Sequence, residues 1–307
     1  MYRRLLAAAA AVLVLPAAPA NAWTRPGHMV SAAIAYRDLM ESDPGIVREI
    51  LRIIEAHPDR GAFEVAVGRE SGEARDRAKF VEIARWSDDI RGGAQDHPTW
   101  HYRSRPIIDR ASPPPAGTAF KERGAALEAL ALNIKVARDV DAPLADRAVA
   151  LCWIFHVVGD IHQPFHNAER FGAAWPQGDA LGSKVFVKDP QTGVPIVLHW
   201  FWDDSINRSP ATGEAFDKAG VLTTRYRRAF FKQLKPTEAE ATAQWSDESY
   251  HLAETLGYRA DAPRETSAKA ATDASATYLR DVIPAAEQRL TLSGYRLADL
   301  LRVIFRK

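Results

Sequence analysis

Cysteine is nearly absent from the sequence. Cys152 is the one thiol among 307 residues, so no intramolecular disulfide can form. An excess of either charge is also absent, because 40 Lys and Arg face 39 Asp and Glu. The chain therefore lacks the basic composition typical of proteins that attract phosphate groups with lysine and arginine. With 47% hydrophobic and 26% charged residues, the composition is that of a globular protein whose core is held by burial.

The N-terminus has the pattern of a secretory signal peptide over residues 1–22. Arg3 and Arg4 precede an apolar stretch of Leu, Ala and Val, and Ala20-Asn21-Ala22 fits a cleavage site. This stretch is too short for a membrane span, and no later segment reaches the ~18 apolar residues that a span requires. A buried N-terminal helix is the alternative interpretation. Cleavage would leave 285 residues from Trp23, with a net charge of −1, in a secreted or periplasmic protein.

Helical spacing of Leu, Ala, Ile and Val predicts a mainly α fold for the rest of the chain. One segment differs, since residues 184–198 alternate like a small β-hairpin that turns at residues 189–193. No internal repeat or linker divides the chain, so we expect a single domain over residues 23–307 and a monomer. The predicted helices cover residues 26–40, 44–56, 74–90, 118–139, 143–162, 198–206, 213–232, 236–257 and 269–302.

The segment HVVGDIHQPFH, residues 156–166, contains three histidines and one aspartate. His156 and Asp160 are four residues apart, so on a helix they project from one face and can bind the same ion. Pro164 should end this helix, which lets His166 turn toward a different position. On an ideal helix His162 faces away from the pair, and a supporting role beside a ligand is its alternative interpretation.

Further histidines and aspartates extend the pattern. His199 and Asp203, in LHWFWDD, repeat the four-residue spacing, and Asp88, His101 and His28 add more potential ligands. Taken singly, such residues are more often hydrogen-bonded or surface groups than metal ligands. Together they match the imidazole and carboxylate ligands that zinc takes when thiolates are absent. Five His and three Asp exceed one tetrahedral site, so more than one metal ion is predicted. Three other histidines carry no predicted role: His57, His97 and His251.

The order and internal spacing of these motifs resemble the zinc-dependent, single-strand-specific nucleases of the S1/P1 family. The resemblance spans nearly the whole chain after residue 22. It includes Trp23 with Gly27-His28, the segments WSDDIR, HYRS, HVVGDIHQPFH and LHWFWD, and the closing GYRLADLL. It implies a multi-helix bundle of the phospholipase C and P1 nuclease type with a small β-hairpin.

The resemblance implies three Zn²⁺ ions and gives their ligands position by position. Trp23 would bind through the α-amine and carbonyl exposed by signal cleavage, and Asp160 would bridge two of the ions. The catalytic residues would be Arg91, Asp88 and Asp160, with Arg91 neutralising charge on the phosphate. Tyr102 would stack a nucleobase. The ligand positions are Asp88, His101, His156 and Asp160 for the first ion, Trp23, His28 and Asp160 for the second, and His166, His199 and Asp203 for the third.

The implied activity is hydrolysis of single-stranded DNA and RNA to 5′-mononucleotides, with removal of phosphate from 3′-nucleotides. Three departures from the family pattern concern loops and base recognition. Thr24 replaces a glycine after the terminal tryptophan, and Ser104 replaces an acidic residue that reads the base in fungal members. Residues 181–183 read Leu-Gly-Ser where Gly-Gly-Asn is typical, so Ser183 stands at the base-contacting asparagine of the substrate site. The base preference therefore stays open.

Two alternative functions remain open from the sequence. Bacterial zinc phospholipases C resemble this fold and share a ligating N-terminal tryptophan, but their last ligand is typically glutamate, where this chain has Asp203. A secreted zinc-binding or storage protein without catalysis is the second. Arg91 and an incompletely filled third metal site argue against it, because structural zinc sites are normally closed.

Overall fold

The structure is a computed structural model that describes residues 23–231 and 238–305. The predicted signal peptide, residues 1–22, lies outside these ranges. Within them the fold is mainly α, as predicted. The helices are α1 (Arg25–Ser42), α2 (Pro44–Ile54), α3 (Arg60–Val67), α4 (Gly72–Asp89), α5 (Ala126–Arg138), α6 (Leu144–Asp160), α7 (Leu198–Asp203), α8 (Thr212–Arg225), α9 (Glu238–Leu252) and α10 (Ala276–Phe305).

Short strands interrupt the helices in two places. They are β1 (Arg103–Ile108), β2 (Arg123–Gly124), β3 (Ala168–Phe171), β4 (Phe186–Lys188) and β5 (Pro195–Val197). The antiparallel pair β4–β5 is the predicted hairpin, which is thereby confirmed. The other sheet has the order β2-β1-β3, with β1 and β3 parallel. Its strands were not predicted, because β1 contains Pro106, which argues against a strand, and its partners are distant in sequence.

Several predicted helix boundaries are wrong for identifiable reasons. The helix expected over 118–139 begins at Ala126, because Arg123 and Gly124 pair with β1 instead. Gly124 has φ +91°, and a Cβ there would collide with the carbonyl of Tyr102. The last helix begins at Ala276, not 269, and continues through Pro284. Helix α3, with only eight residues, was not predicted at all.

Helix α6 lies at the centre of the packing that positions the site. Every residue from Ala150 to Asp160 is buried, and α4, α5 and α1 all pack against it. Burial of large side chains such as Trp153 and Phe155 provides the main stabilisation, at about 1.5–3 kcal/mol each. The polar end of α6, with His156 and Asp160, is therefore held in the interior by its apolar neighbours. No helix in the described part of the chain combines the length and apolar character needed to cross a membrane.

Candidate metal centre

His156 is fixed by a hydrogen bond to a neighbouring helix. Its Nδ1 donates to the carbonyl of Ala84 in α4, over 2.8 Å. This bond leaves the lone pair of Nε2 directed at other polar groups: His101 Nδ1 at 3.0 Å and Asp160 Oδ2 at 3.4 Å. The four-residue spacing on α6 thus brings His156 and Asp160 together, and His101 reaches them from the short 3₁₀-helix Pro98–His101.

The carboxylate of Asp160 lies between two imidazoles. Its Oδ2 is 3.2 Å from His101 Nδ1, and its Oδ1 is 3.2 Å from His28 Nε2. The His28 contact has a suitable length but lacks hydrogen-bond geometry, and neither ring nitrogen of His28 has a hydrogen-bond partner among the described residues. The His28 ring stacks on His156 with 3.9 Å between centroids. All four side chains are buried, so these polar atoms face one another without solvent.

Asp88 joins this group from the C-terminal end of α4. Its Oδ1 accepts a hydrogen bond from Arg91 over 2.7 Å and lies 3.8 Å from His156 Nε2. Its Oδ2 is buried and has no hydrogen-bond partner in the described ranges. The side chain of Arg91 is about one-fifth exposed, so its guanidinium reaches the surface beside a buried carboxylate.

His166, His199 and Asp203 form a further buried group. His166 Nδ1 donates to the carbonyl of His101 over 2.5 Å, and His199 Nδ1 donates to the carbonyl of Leu181 over 2.6 Å. The two Nε2 atoms then face each other at 3.0 Å, and Asp203 Oδ2 lies 3.3 Å from His199 Nε2. The three ligand atoms converge, as expected for residues that share one ion.

These groups fit a divalent cation on chemical grounds. Burial lowers the pKa of His28 and His101 well below the ordinary value, so both rings are neutral and offer lone pairs. Burial raises the pKa of Asp160 and Asp203 well above the usual range, which reflects buried carboxylates that lack a compensating positive charge. A bound cation would provide that charge. The possible ligand sets, each within 4.8 Å, are His28, Asp88 and His156; His101, His156 and Asp160; and His166, His199 and Asp203.

Trp23 lies next to this centre. Its indole Nε1 donates to the carbonyl of Gly159 over 3.0 Å, and its side chain is fully buried. Gly159 precedes Asp160 and contacts His28 so closely that a Cβ would lie 2.6 Å from His28 Nδ1. The backbone of Trp23 is therefore anchored beside two of the residues with which it was predicted to bind an ion. Its role as a ligand remains a prediction.

The residues predicted to contact substrate lie near the same elements. Tyr102 is half-buried and follows His101 directly. Ser183 is half-buried too, and its Oγ has no hydrogen-bond partner in the part of the chain that is described. Ser104 is buried and donates to Glu169 over 3.0 Å, so it is engaged with the protein. Thr24 donates to the carbonyl of Asn207 over 3.3 Å, which fixes the loop before α1.

Histidines without a predicted ligand role lie outside the ligand sets. His162 donates from Nδ1 to the carbonyl of Val158 and accepts from Arg296 at Nε2, over 2.7 and 2.8 Å. It therefore faces α10, whereas the prediction from an ideal helix was only that it faces away from His156 and Asp160. His57 accepts from the backbone of Asp59 and packs against Phe63.

The sequence interpretation missed groups that orient the ligands. Gln163 donates from Nε2 to Asp203 Oδ1 over 2.6 Å, although it lies inside a motif already singled out. Its position between two histidines was a signal that could have been used. The carbonyls of Ala84, His101 and Leu181 have no such signal, because a backbone acceptor is set by folding and not by residue type.

Fold and site together define a mainly α protein with adjoining groups of buried histidine and aspartate suited to metal ions. The S1/P1 nuclease family model matches residues 23–306, so the chain belongs to this family of nucleases, as its motifs predicted. Similar proteins include endonuclease 3 and endonuclease 4 of Arabidopsis thaliana, 29% and 27% identical over 179 and 177 residues. Each match covers 51% of this chain and about half of the relative's length (51% and 50%).

Proposed function

We propose that the protein is a zinc-dependent phosphodiesterase that hydrolyses single-stranded DNA and RNA to 5′-mononucleotides and also acts on 3′-nucleotides. One observation carries the proposal: imidazole nitrogens and carboxylate oxygens from five histidines and three aspartates converge in adjoining buried groups. Membership of a nuclease family supports a nucleic acid as substrate. Mixed imidazole and carboxylate ligands favour zinc, which takes them where no thiolate is present. Sites made of oxygen ligands alone suit harder cations instead.

We assign three ions to these ligands. Their ligands would be Asp88, His101, His156 and Asp160; Trp23, His28 and Asp160; and His166, His199 and Asp203. The 3.2 Å approaches of both Asp160 oxygens to different histidines support a bridging role for this carboxylate. Three divalent ions add about six positive charges in one place, which would attract phosphate to a chain that lacks excess lysine and arginine.

Bound zinc supplies Lewis-acid polarisation of the phosphate and lowers the pKa of water. The chain's own residues would orient the substrate around it. Arg91, held by Asp88 at the edge of the buried group, would donate to the non-bridging phosphate oxygens, where charge increases during the reaction. Tyr102 would stack a nucleobase, at about 1–3 kcal/mol per base, which favours single strands because their bases are unpaired. Ser183 Oγ would donate to or accept from the base edge.

We further propose that residues 1–22 are a signal peptide, so that the mature domain, residues 23–307, is secreted or periplasmic. We also propose that this domain is a monomer. Cleavage would create the α-amine of Trp23. Such amines have a pKa of about 7.7–8.0, so the deprotonation that metal binding requires costs little near neutral pH. The buried indole and its bond to Gly159 would hold this amine next to His28.

The test compares two forms of the protein, one that begins at Trp23 and one with an additional methionine before it. Bound zinc and the conversion of single-stranded DNA, single-stranded RNA and a 3′-nucleotide are measured for both. We expect the extended form to lose one zinc and most of its activity. Equal zinc content and activity would refute the role of the amine.

A matched pair of histidine variants tests the enzyme assignment itself. His199→Ala should lose one zinc and its activity, whereas His57→Ala removes a buried histidine outside the ligand sets and should keep both. Hydrolysis of a phosphocholine lipid without any action on nucleic acid would indicate a phospholipase C instead. Metal binding without turnover of any phosphoester would indicate a storage protein.

A further inference from the structure

The loop at residues 178–182 has an unusual backbone. Ala180 and Leu181 have φ of +53° and +59°, and they are the non-glycine residues with positive φ in the described ranges. Gly182 follows with φ +81°. Side chains of L-residues disfavour this left-handed region because the Cβ approaches the backbone carbonyl. Two such residues in succession persist only where the surroundings hold them.

This loop contacts the candidate metal centre through a backbone carbonyl. The carbonyl of Leu181 accepts the Nδ1–H of His199 over 2.6 Å. That bond fixes which ring nitrogen of His199 carries the proton and turns Nε2 toward His166, 3.0 Å away. The position of the Leu181 carbonyl depends on the left-handed backbone on either side of it. The strained conformation thus determines the orientation of a predicted metal ligand.

A buried carboxylate holds the loop in this conformation. Asp179 Oδ1 accepts hydrogen bonds from the backbone N–H of Arg170, the backbone N–H of Gly182 and the hydroxyl of Tyr258, each over 3.1 Å. The bond to Gly182 closes a ring around the two strained residues, Ala180 and Leu181. Asp179 is fully buried, so solvent cannot replace these bonds.

Strand β3 fixes the other side of the loop. Glu169 Oε1 accepts from the backbone N–H of Ala180 over 3.0 Å, and the carbonyl of Arg170 accepts from Asp179 over 3.0 Å. Strand β3 begins two residues after His166, which belongs to the same ligand set as His199. Strand β3 therefore links His166, which precedes it, to the loop whose Leu181 carbonyl orients His199.

We propose that Asp179 is a positioning residue for the metal ion bound by His166, His199 and Asp203. It touches neither ion nor substrate. It holds the left-handed loop so that the Leu181 carbonyl can orient the imidazole of His199. The inference rests on the proposed function, because it requires a metal ion in this ligand set.

The test measures zinc affinity of the fully loaded protein by competition with a chromophoric chelator. Asp179→Ala should weaken binding of one of the ions by about 10- to 100-fold and leave the others unchanged. Asp179→Asn should largely restore it, because the amide oxygen can accept the bonds that Oδ1 accepts. The matched control is Asp189→Ala, which removes another buried aspartate whose contacts are Arg208, Gln191 and Thr192.

A second pair of variants tests whether Asp179 acts through the loop. Glycine adopts positive φ without a steric cost, so with Leu181→Gly the loop should depend less on Asp179. The double variant Asp179→Ala/Leu181→Gly should therefore bind this ion more tightly than Asp179→Ala alone. No recovery would overturn the action through the backbone. Tyr258→Phe removes one of the three donors, keeps the ring and should weaken this ion by up to about tenfold. It provides a measurement if Asp179→Ala does not fold.

The outcomes separate this inference from the proposed function. Folded Asp179→Ala and Tyr258→Phe proteins that bind every ion with wild-type affinity would overturn the role of Asp179. If His199→Ala and the unaltered protein bind the same number of ions, the metal assignment itself fails, whatever the Asp179 variants do. The absorption spectrum of the cobalt-substituted protein gives an independent readout, because it changes when His199 no longer coordinates.

Discussion

Gly159→Ala is expected to displace a predicted metal ligand by adding a single carbon atom. The new Cβ would lie 2.6 Å from His28 Nδ1 and 2.9 Å from His28 Cε1. An ordinary contact begins near 3.4 Å, so the imidazole must move by about 0.8 Å. His28 is fully buried and stacks on His156, so its ring cannot simply swing into solvent.

The displacement is large compared with what a metal site tolerates. Ligand distances in such sites stay within about 0.2 Å of their preferred values, so a shift of 0.8 Å should prevent His28 from binding together with Asp160. We expect the affinity for the ion at His28 to fall at least tenfold, or about 1.4 kcal/mol. Overpacking should also cost about 1–3 kcal/mol of folding stability. The gain in helix propensity from alanine offsets only about 0.5–1 kcal/mol of that cost.

The assay combines zinc competition with urea unfolding, and Gly213→Ala is the matched control. Gly213 also lies in a helix, but a Cβ there meets nothing within 4 Å. The control should keep every zinc ion and unfold at the same or slightly higher urea concentration. If Gly159→Ala matches the control in zinc affinity and unfolding free energy, the position of His28 is not critical for metal binding and the ligand assignment is wrong at this residue.

Three further predictions concern stability. Removal of zinc with a chelator should lower the Tm by at least about 5–10 °C, since even one ion at 100 times its Kd contributes about 2.7 kcal/mol; an unchanged Tm in calorimetry would contradict structural coupling of the ions. The Arg208 guanidinium beside Asp189 lowers the pKa of that carboxyl from 3.8 to about 2, so the pair stabilises the fold above pH 3.8 and loses this effect as the pH falls toward 2. Asp189→Asn should therefore cost about 1–2 kcal/mol at pH 7, and urea titrations should find a shrinking difference below pH 4, not a constant one. Arg296→Met should cost about 1–3 kcal/mol because His162 loses a buried donor, whereas Glu248 keeps its bond to Arg289; a change below 0.5 kcal/mol in urea unfolding would rule this out.

Composition and spacing predicted the parts of the molecule that are determined locally. The prediction of a helix over 26–40 matches α1, and that over 143–162 matches α6, because both are long segments rich in Ala and other apolar residues, which become buried on most sides. The four-residue spacing of His156 and Asp160 indicated one helix face, and their polar atoms lie 3.4 Å apart. Such pairs follow from helix geometry alone, so no tertiary information was needed.

Contacts between distant segments could not be predicted in this way. Strands β1 and β3 pair across more than 60 residues, and neither has an alternating pattern of its own. The loop at residues 178–182 is intermediate, since Leu181 already stood out where the family has glycine. The sequence thus pointed to this position. It did not indicate that Leu181 adopts the positive φ of a glycine, or that its carbonyl would orient His199.

Backbone carbonyls from separate elements orient the histidines, and this has a consequence for stability. The acceptors belong to Ala84 in a helix, His101 in a 3₁₀-turn and Leu181 in a strained loop. Each is positioned by packing between segments far apart in sequence, so the ligand geometry exists only in the folded chain. Metal binding and folding should therefore be coupled: substitutions that loosen this packing weaken metal affinity even when they touch no ligand. The chelator-induced loss of Tm measures this coupling, because an ion that binds only the folded chain stabilises it by an amount set by its affinity and free concentration.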